Sequence, residues 1–240
     1  MNGFFTINSK GDKVVFAKGN LRYHPKNGEW QLAEHQWDIV GAGNANVSRK
    51  YNGWIDLYVC GSGKNPTSTS DNPVNYYEKP LDDWSVNKIV NGGNQKNLWR
   101  TLTRDEWDYI LNKRQTASGW SYVRAEVNGI KGAIILPDDW PSASYGFKRA
   151  KDRYDNAPNV ISLQEWESVF EIAGAVFLPM AGTRYKNKYY DDGGYYWSTG
   201  YDAVVFDGNT FDSRTKNYDL LSVESYDVYY GAAVRPVRDF

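Results

Sequence analysis

Cysteine is nearly absent from these 240 residues, with Cys60 standing alone. An internal disulfide is therefore excluded, and so are a thiolate metal cluster and a two-cysteine redox pair. Histidine is scarce as well: His24 and His35 fall in neither a His-x-x-x-His nor a Cys/His pattern that binds zinc, so each reads as structural. No apolar run of about eighteen residues occurs, and direct membrane insertion is not expected. The start, Met1-Asn2-Gly3-Phe4-Phe5, lacks the charged and apolar stretches of a signal peptide. Neither sign of charge dominates, since 28 Lys and Arg stand against 29 Asp and Glu. Their even mixing leaves no basic stripe for a phosphate backbone, so nucleic acid is not an expected partner.

Motifs for chemistry are equally sparse. Gly-x-Ser-x-Gly does not occur, and Gly61-Ser62-Gly63-Lys64-Asn65 lacks the spacing of a phosphate-cradling loop. Asp82-Asp83, Asp138-Asp139 and Asp191-Asp192 lack the alternate-position spacing of a helix-loop-helix calcium site and read as solvated turns. A glycosidase needs two carboxylates held across a sugar, and no pair is singled out. The sequence thus nominates no catalytic residue, no metal ligand and no cofactor.

Aromatic residues are what the chain has in surplus, at 16%, with ten Trp and nineteen Tyr, within an apolar content of 41% that suits a folded core. Tyr and Trp offer large, rigid contact area at low entropic cost, so some of these rings are expected to face a ligand.

The chain reads as one elaborated α+β domain. Phe4–Ile7 and Val14–Ala17 alternate like strands about the turn Asn8–Asp12, giving an N-terminal hairpin. Residues 41–97 are rich in Gly, Asn, Ser and Pro and predict a long irregular segment. Thr103-Arg104-Asp105-Glu106 and Ser162-Leu163-Gln164-Glu165 fit capping boxes. The first precedes Trp107, Ile110 and Leu111, and the second Trp166, Val169 and Phe170 at the same offsets, predicting two helices packed on sheet. Ile130–Pro137 and Ala175–Pro179 read as buried strands ended by proline.

Several segments carry a family likeness. They are Phe16-Ala17-Lys18-Gly19-Asn20-Leu21, Ala33-Glu34-His35-Gln36-Trp37-Asp38, Tyr51-Asn52-Gly53-Trp54-Ile55-Asp56-Leu57 and Trp99-Arg100-Thr101-Leu102-Thr103. Ile134–Asp138, Ala173–Pro179, Tyr196-Trp197-Ser198-Thr199 and Gly231-Ala232-Ala233-Val234-Arg235-Pro236-Val237 extend it over nearly the whole chain. The sequence resembles the variable proteins of diversity-generating retroelements found in Bacteroidetes and their phages. The resemblance implies a C-type lectin-like fold, related to the formylglycine-generating enzyme fold, with two helices on short, mostly antiparallel strands and long irregular loops. It also implies a hypervariable patch between the Tyr-Trp-Ser strand and the closing Gly-x-x-Val-Arg strand, here residues 200–230, with Trp197 and Arg235 as scaffold.

In such systems adenine-directed mutagenesis of Asn codons ending in a pyrimidine never yields Lys, Glu, Gln, Met or Trp. Only Lys216 and Glu224 among the thirty residues Tyr201–Tyr230 belong to that set, against 42 of 240 in the whole chain, a depletion in the expected direction. The Glu-Pro-Asn, Gln-Pro-Asp and Trp-Asn-Asp tripeptides of calcium-dependent sugar-binding lectins are missing. Cys60 has no evident His partner, so the likeness brings no catalysis with it.

Within the display segment, Asp207-Gly208 predicts a turn flanked by inward-pointing Phe206 and Phe211. Period-two alternation then sends Val205, Asp207, Thr210 and Asp212 outward, with Tyr201, Asp202 and Val204 adjoining them. Asn209, Arg214, Asn217 and Asp219 belong to the same stretch, and Ser225–Tyr230 adds Tyr226, Asp227, Tyr229 and Tyr230. These fifteen residues are the expected ligand contacts. The function expected from them is that of an extracellular, cell-surface or virion-borne adhesin domain, attached to a pilus, surface or tail-fibre assembly and binding a protein or glycan receptor on a target cell. A carbohydrate-active enzyme and a structural subunit of a surface or virion assembly are the alternatives.

Overall fold

The computed structural model describes residues 3–69, 84–141, 145–149, 158–206 and 221–240. The N-terminal hairpin forms as expected from β1 (Phe5–Thr6) and β2 (Lys13–Phe16). Its turn is closed by Asn8, whose side-chain oxygen accepts from the N–H groups of Lys10 and Asp12 at 3.0 and 3.2 Å. A second hairpin pairs β3 (Leu21–His24) with β4 (Glu29–Leu32). From there to Thr103 the described chain runs irregularly, with 3₁₀ turns at Gly41–Asn46, Trp84–Val86 and Val90–Gly92.

Both capped helices are present but short. In α1 (Arg104–Asp108) the capping box is complete: the Thr103 hydroxyl accepts from the Glu106 N–H at 3.2 Å, and Glu106 accepts from the Thr103 N–H at 2.8 Å. The helix widens at once into a π-helical turn, Tyr109–Lys113. In α2 (Leu163–Glu165) Ser162 caps the Glu165 N–H, and a π-helical turn, Trp166–Glu171, follows. Trp107, Ile110, Leu111, Trp166 and Phe170 are buried as the spacing predicts, but Val169 is 41% exposed. The wider turn keeps Trp166 and Phe170 inward and carries Val169 out to solvent.

The four-stranded sheet is built from β5 (Tyr122–Val127), β6 (Ile130–Ile135), β7 (Asn159–Ile161) and β8 (Val176–Pro179), in the order β7-β5-β6-β8. Only the β5–β7 pair is parallel. Then come β9 (Thr183–Tyr185), β10 (Lys188–Tyr190), β11 (Gly194–Trp197), β12 (Asp202–Phe206), β13 (Ser222–Ser225), β14 (Tyr230–Gly231) and β15 (Val237–Asp239). They form the sheets β10-β9-β14 and β11-β12-β13, while β15 joins β2, so the two ends of the chain share one sheet. Short antiparallel strands and few helices make this an α+β protein.

Three buried clusters alternate with two of these sheets. On β6 and β8, Ile134 and Phe177 pack with Trp140, Trp166 and Phe170 in one cluster, while Ala133, Ile135, Val176 and Leu178 face a second cluster containing Phe16 and Trp107. That second cluster also receives Tyr196, Val204 and Phe206 from β11 and β12. Their sequence neighbours Tyr195, Trp197, Ala203 and Val205 enter a third, with Trp30, Tyr58 and Trp84. Arg235 ties the layers together from within: fully buried, it donates to Asn20 Oδ1 at 2.9 Å and to the carbonyls of Lys18, Gln36 and Phe177 at 3.1, 3.1 and 2.8 Å. Trp197 donates through Nε1 to the Tyr58 carbonyl at 2.6 Å. Both residues are scaffold.

Candidate functional site

The antiparallel register of β11 and β12 sets Trp197 opposite Ala203, Tyr196 opposite Val204, Tyr195 opposite Val205 and Gly194 opposite Phe206. Gly194 is required at its position, because a Cβ there would stand 2.2 Å from the Phe206 ring. The turn between the strands is closed by Ser198, whose N–H and hydroxyl both donate to the Asp202 carbonyl, at 2.9 and 2.8 Å. Gly200 in this turn has φ +101°, where a side chain would be strained.

This register corrects part of the expected display face. Phe206 points inward as predicted, yet Val205 on the opposite side is also buried, and Val204 has no exposed surface at all. Alternation separates two faces only when one of them meets water. Here the third cluster, supplied by Trp30, Tyr58 and Trp84 from far back in the chain, covers the face that Val205 occupies. Val204 and Val205 are core residues and cannot touch a ligand.

The surface lies instead at the ends of these strands. Tyr226 N–H donates to the Tyr201 carbonyl at 2.8 Å, which brings the start of the segment against its end. Tyr201 and Tyr229 are each 37% exposed, and Asp227 is exposed. Asp227 shapes the turn, accepting from the Tyr229 N–H through Oδ1 at 3.1 Å and from the Tyr230 N–H through its carbonyl at 3.0 Å. Asp202 is less available than expected: its carboxylate pairs with Arg104 and accepts from the Ser225 hydroxyl at 3.2 Å. Asp207, Asn209, Thr210, Asp212, Arg214, Asn217 and Asp219 lie outside the described residues.

Beneath the surface runs a chain of rings. Tyr226 stacks on Tyr195 at 5.0 Å, meets Trp197 edge-on at 5.5 Å and lies 5.9 Å from Tyr230, which in turn lies 5.3 Å from Tyr185. Burial raises the Tyr226 hydroxyl well above its ordinary value, so it remains protonated. Tyr185 and Lys186, whose ammonium sits 5.6 Å from the centre of the Tyr185 ring, were missed by the sequence reading. They precede the Tyr-Trp-Ser strand, and only the pairing of β14 with β9 brings them to Tyr230.

Cys60 supports the same turn from below. Its Sγ donates to the Gly200 carbonyl at 2.9 Å, and its N–H donates to the Val228 carbonyl at 3.4 Å. Burial, reinforced by the Asp202 charge, pushes the thiol up to about 12, so the thiolate that nucleophilic chemistry needs is scarce at neutral pH. Among the described residues, no group of three or more His, Cys, Asp or Glu side chains could hold a metal ion, and no helix is long and apolar enough to cross a membrane. Asp138 is committed to structure, accepting from the Thr6 N–H and hydroxyl at 3.0 and 2.7 Å and from Arg114 at 2.9 Å.

No protein-family model, curated protein or solved structure matches this chain.

Proposed function

We propose that this protein is a ligand-binding module of C-type lectin-like fold, an adhesin domain of the variable-protein type that recognises a protein or glycan receptor on a target cell. The observation that carries the reading is the ring chain from Tyr195 through Tyr226 and Tyr230 to Tyr185, rooted in the core and flanked at the surface by Tyr201, Asp227 and Tyr229. Rings already immobilised lose little side-chain entropy on binding, and exposed Tyr beside small polar groups is the composition of antibody contact surfaces. A tightly packed framework also lets exposed positions vary, since surface substitutions typically change stability by only about 0.5 kcal/mol. On this reading the module acts outside the cell, attached to a pilus, a surface assembly or a phage tail fibre.

The test is a binding screen with fluorescently labelled full chain against a printed glycan array and a panel of bacterial cells. A target bound by the wild type and lost in the Tyr201→Ala/Tyr229→Ala double variant, with the thermal transition unchanged, supports the proposal. Release of cleaved glycan would make the protein a carbohydrate-active enzyme. A solution mass above one chain that the same double substitution reduces to one would make the patch a subunit interface. Variability has its own check: a template repeat beside the gene should differ from it mainly at adenines within codons 201–230.

A further inference from the structure

The pairing of Tyr23 with Ile55 sets four side chains in a row. The two backbones exchange N–H···O bonds of 2.8 and 2.9 Å in an antiparallel bridge. Alternation sends Tyr23 and Ile55 to one side, where Ile55 is buried in the third cluster, and Arg22, His24, Trp54 and Asp56 to the other. There the Arg22 guanidinium lies 4.5 Å from the centre of the Trp54 ring, and His24 meets that ring edge-on at 5.1 Å. Asp56 is sealed at the base: its carboxylate accepts from the Val40 N–H at 2.9 Å and from the Asn44 amide at 2.8 Å.

Arg22, Trp54 and Asp56 of this row form one wall of a cavity of about 590 Å³ that is also lined by Trp37, Asp38 and Tyr51. His35 stacks on Trp37 with ring centres 4.9 Å apart and 4° between the planes, which fixes the indole. Asp38 accepts from the His35 N–H through Oδ2 at 2.9 Å. Arg22 donates through Nη2 to Gln31 at 3.1 Å, while its Nε is buried with no hydrogen-bond partner among the described residues.

We propose that this cavity is a binding site for a neutral sugar of one or two rings. Its volume falls within the roughly 300–1,000 Å³ of small-molecule sites. Arg22 is the only cationic side chain of the lining and shares it with the Asp38 and Asp56 carboxyls, so no surplus positive charge draws an anion, and Arg22 itself opposes a cation. Two indoles and a phenol offer apolar surface to the C–H faces of a sugar ring, while the Arg22 guanidinium and the Asp38 carboxylate match hydroxyl groups. None of these residues belongs to the display surface, so the site stands independently of the function proposed for that surface.

The test is titration of the full chain with glucose, galactose, mannose, maltose and lactose, with glucuronate and glucosamine as charged probes, followed by tryptophan emission and calorimetry. At least one neutral sugar should give a saturable response, and Arg22→Met and Asp38→Asn should each weaken it about tenfold, the loss of one well-made polar contact, with the thermal transition retained. If either variant fails to fold, Trp37→Phe, which keeps a ring against His35, takes its place with the same expected loss. The proposal is overturned if no neutral sugar saturates, if only a charged probe binds, or if affinity is unchanged in the variants.

Discussion

Tyr226 lies over Tyr195 with ring centres 5.0 Å apart and planes inclined by 29°, while its backbone N–H holds the Tyr201 carbonyl. One residue thus joins the core to the turn that carries Tyr201. Tyr226→Ala should lose roughly 2–3 kcal/mol of stability, below the range for a fully buried ring because part of this one reaches solvent. Tyr201→Ala and Tyr229→Ala, at the more exposed rings, should each lose less, on the order of 1 kcal/mol. Urea unfolding of the three variants checks the contrast, and equal losses at all three positions would mean that the surface rings are structural.

Val204 and Tyr229 make a second contrast, between a residue expected at the surface and one found there. Val204→Asp buries an unpaired carboxylate against Tyr196 and Phe206, and should cost more than about 4 kcal/mol or prevent folding. Tyr229→Asp, at a ring that reaches solvent, should cost far less and leave the protein folded. Thermal melts distinguish the outcomes, and a folded Val204→Asp with an ordinary transition would restore that residue to the display face.

Arg235 satisfies carbonyls from separate parts of the chain, and burial draws its guanidinium down to about 10 without discharging it at neutral pH. Arg235→Met leaves those carbonyls and Asn20 Oδ1 without their donor, and should lose roughly 3–5 kcal/mol. Arg235→Lys should recover only part of this, because an ammonium cannot reproduce the planar fork of donors. Chemical denaturation of both variants gives the ranking; a lysine variant as stable as wild type would contradict it.

Asp56 gives a pH signature. Burial holds its carboxyl at about 6, above the ordinary 3.8, against the opposing effects of Asn44, the Val40 N–H and Arg22. Between those values the folded chain holds a proton that the unfolded chain has released. The contribution is therefore complete below 3.8 and is lost as pH rises through 6, about 3 kcal/mol across the window. Asp56→Asn should remove this part of the pH dependence. Unfolding free energies at several pH values between 3.5 and 7 for both proteins provide the measurement, and parallel curves would rule the assignment out.

What the sequence determined by itself was local. The Thr103 and Ser162 caps, the Asn8 turn, the proline-ended strands and the buried Trp107 and Trp166 all follow from chemistry within a few residues of one another. The tertiary structure alone decided which strand faces meet water. Val205 looked exposed because alternation names two faces without saying what covers each, and its cover comes from Trp30, Tyr58 and Trp84. Val169 turned outward because a π-helical turn, which its periodicity did not signal, changed the register. Tyr185 reached Tyr230, and Arg22 reached Trp54, only through pairings between segments distant in the chain, since contacts of that kind depend on how separated strands are brought side by side rather than on any spacing along the sequence.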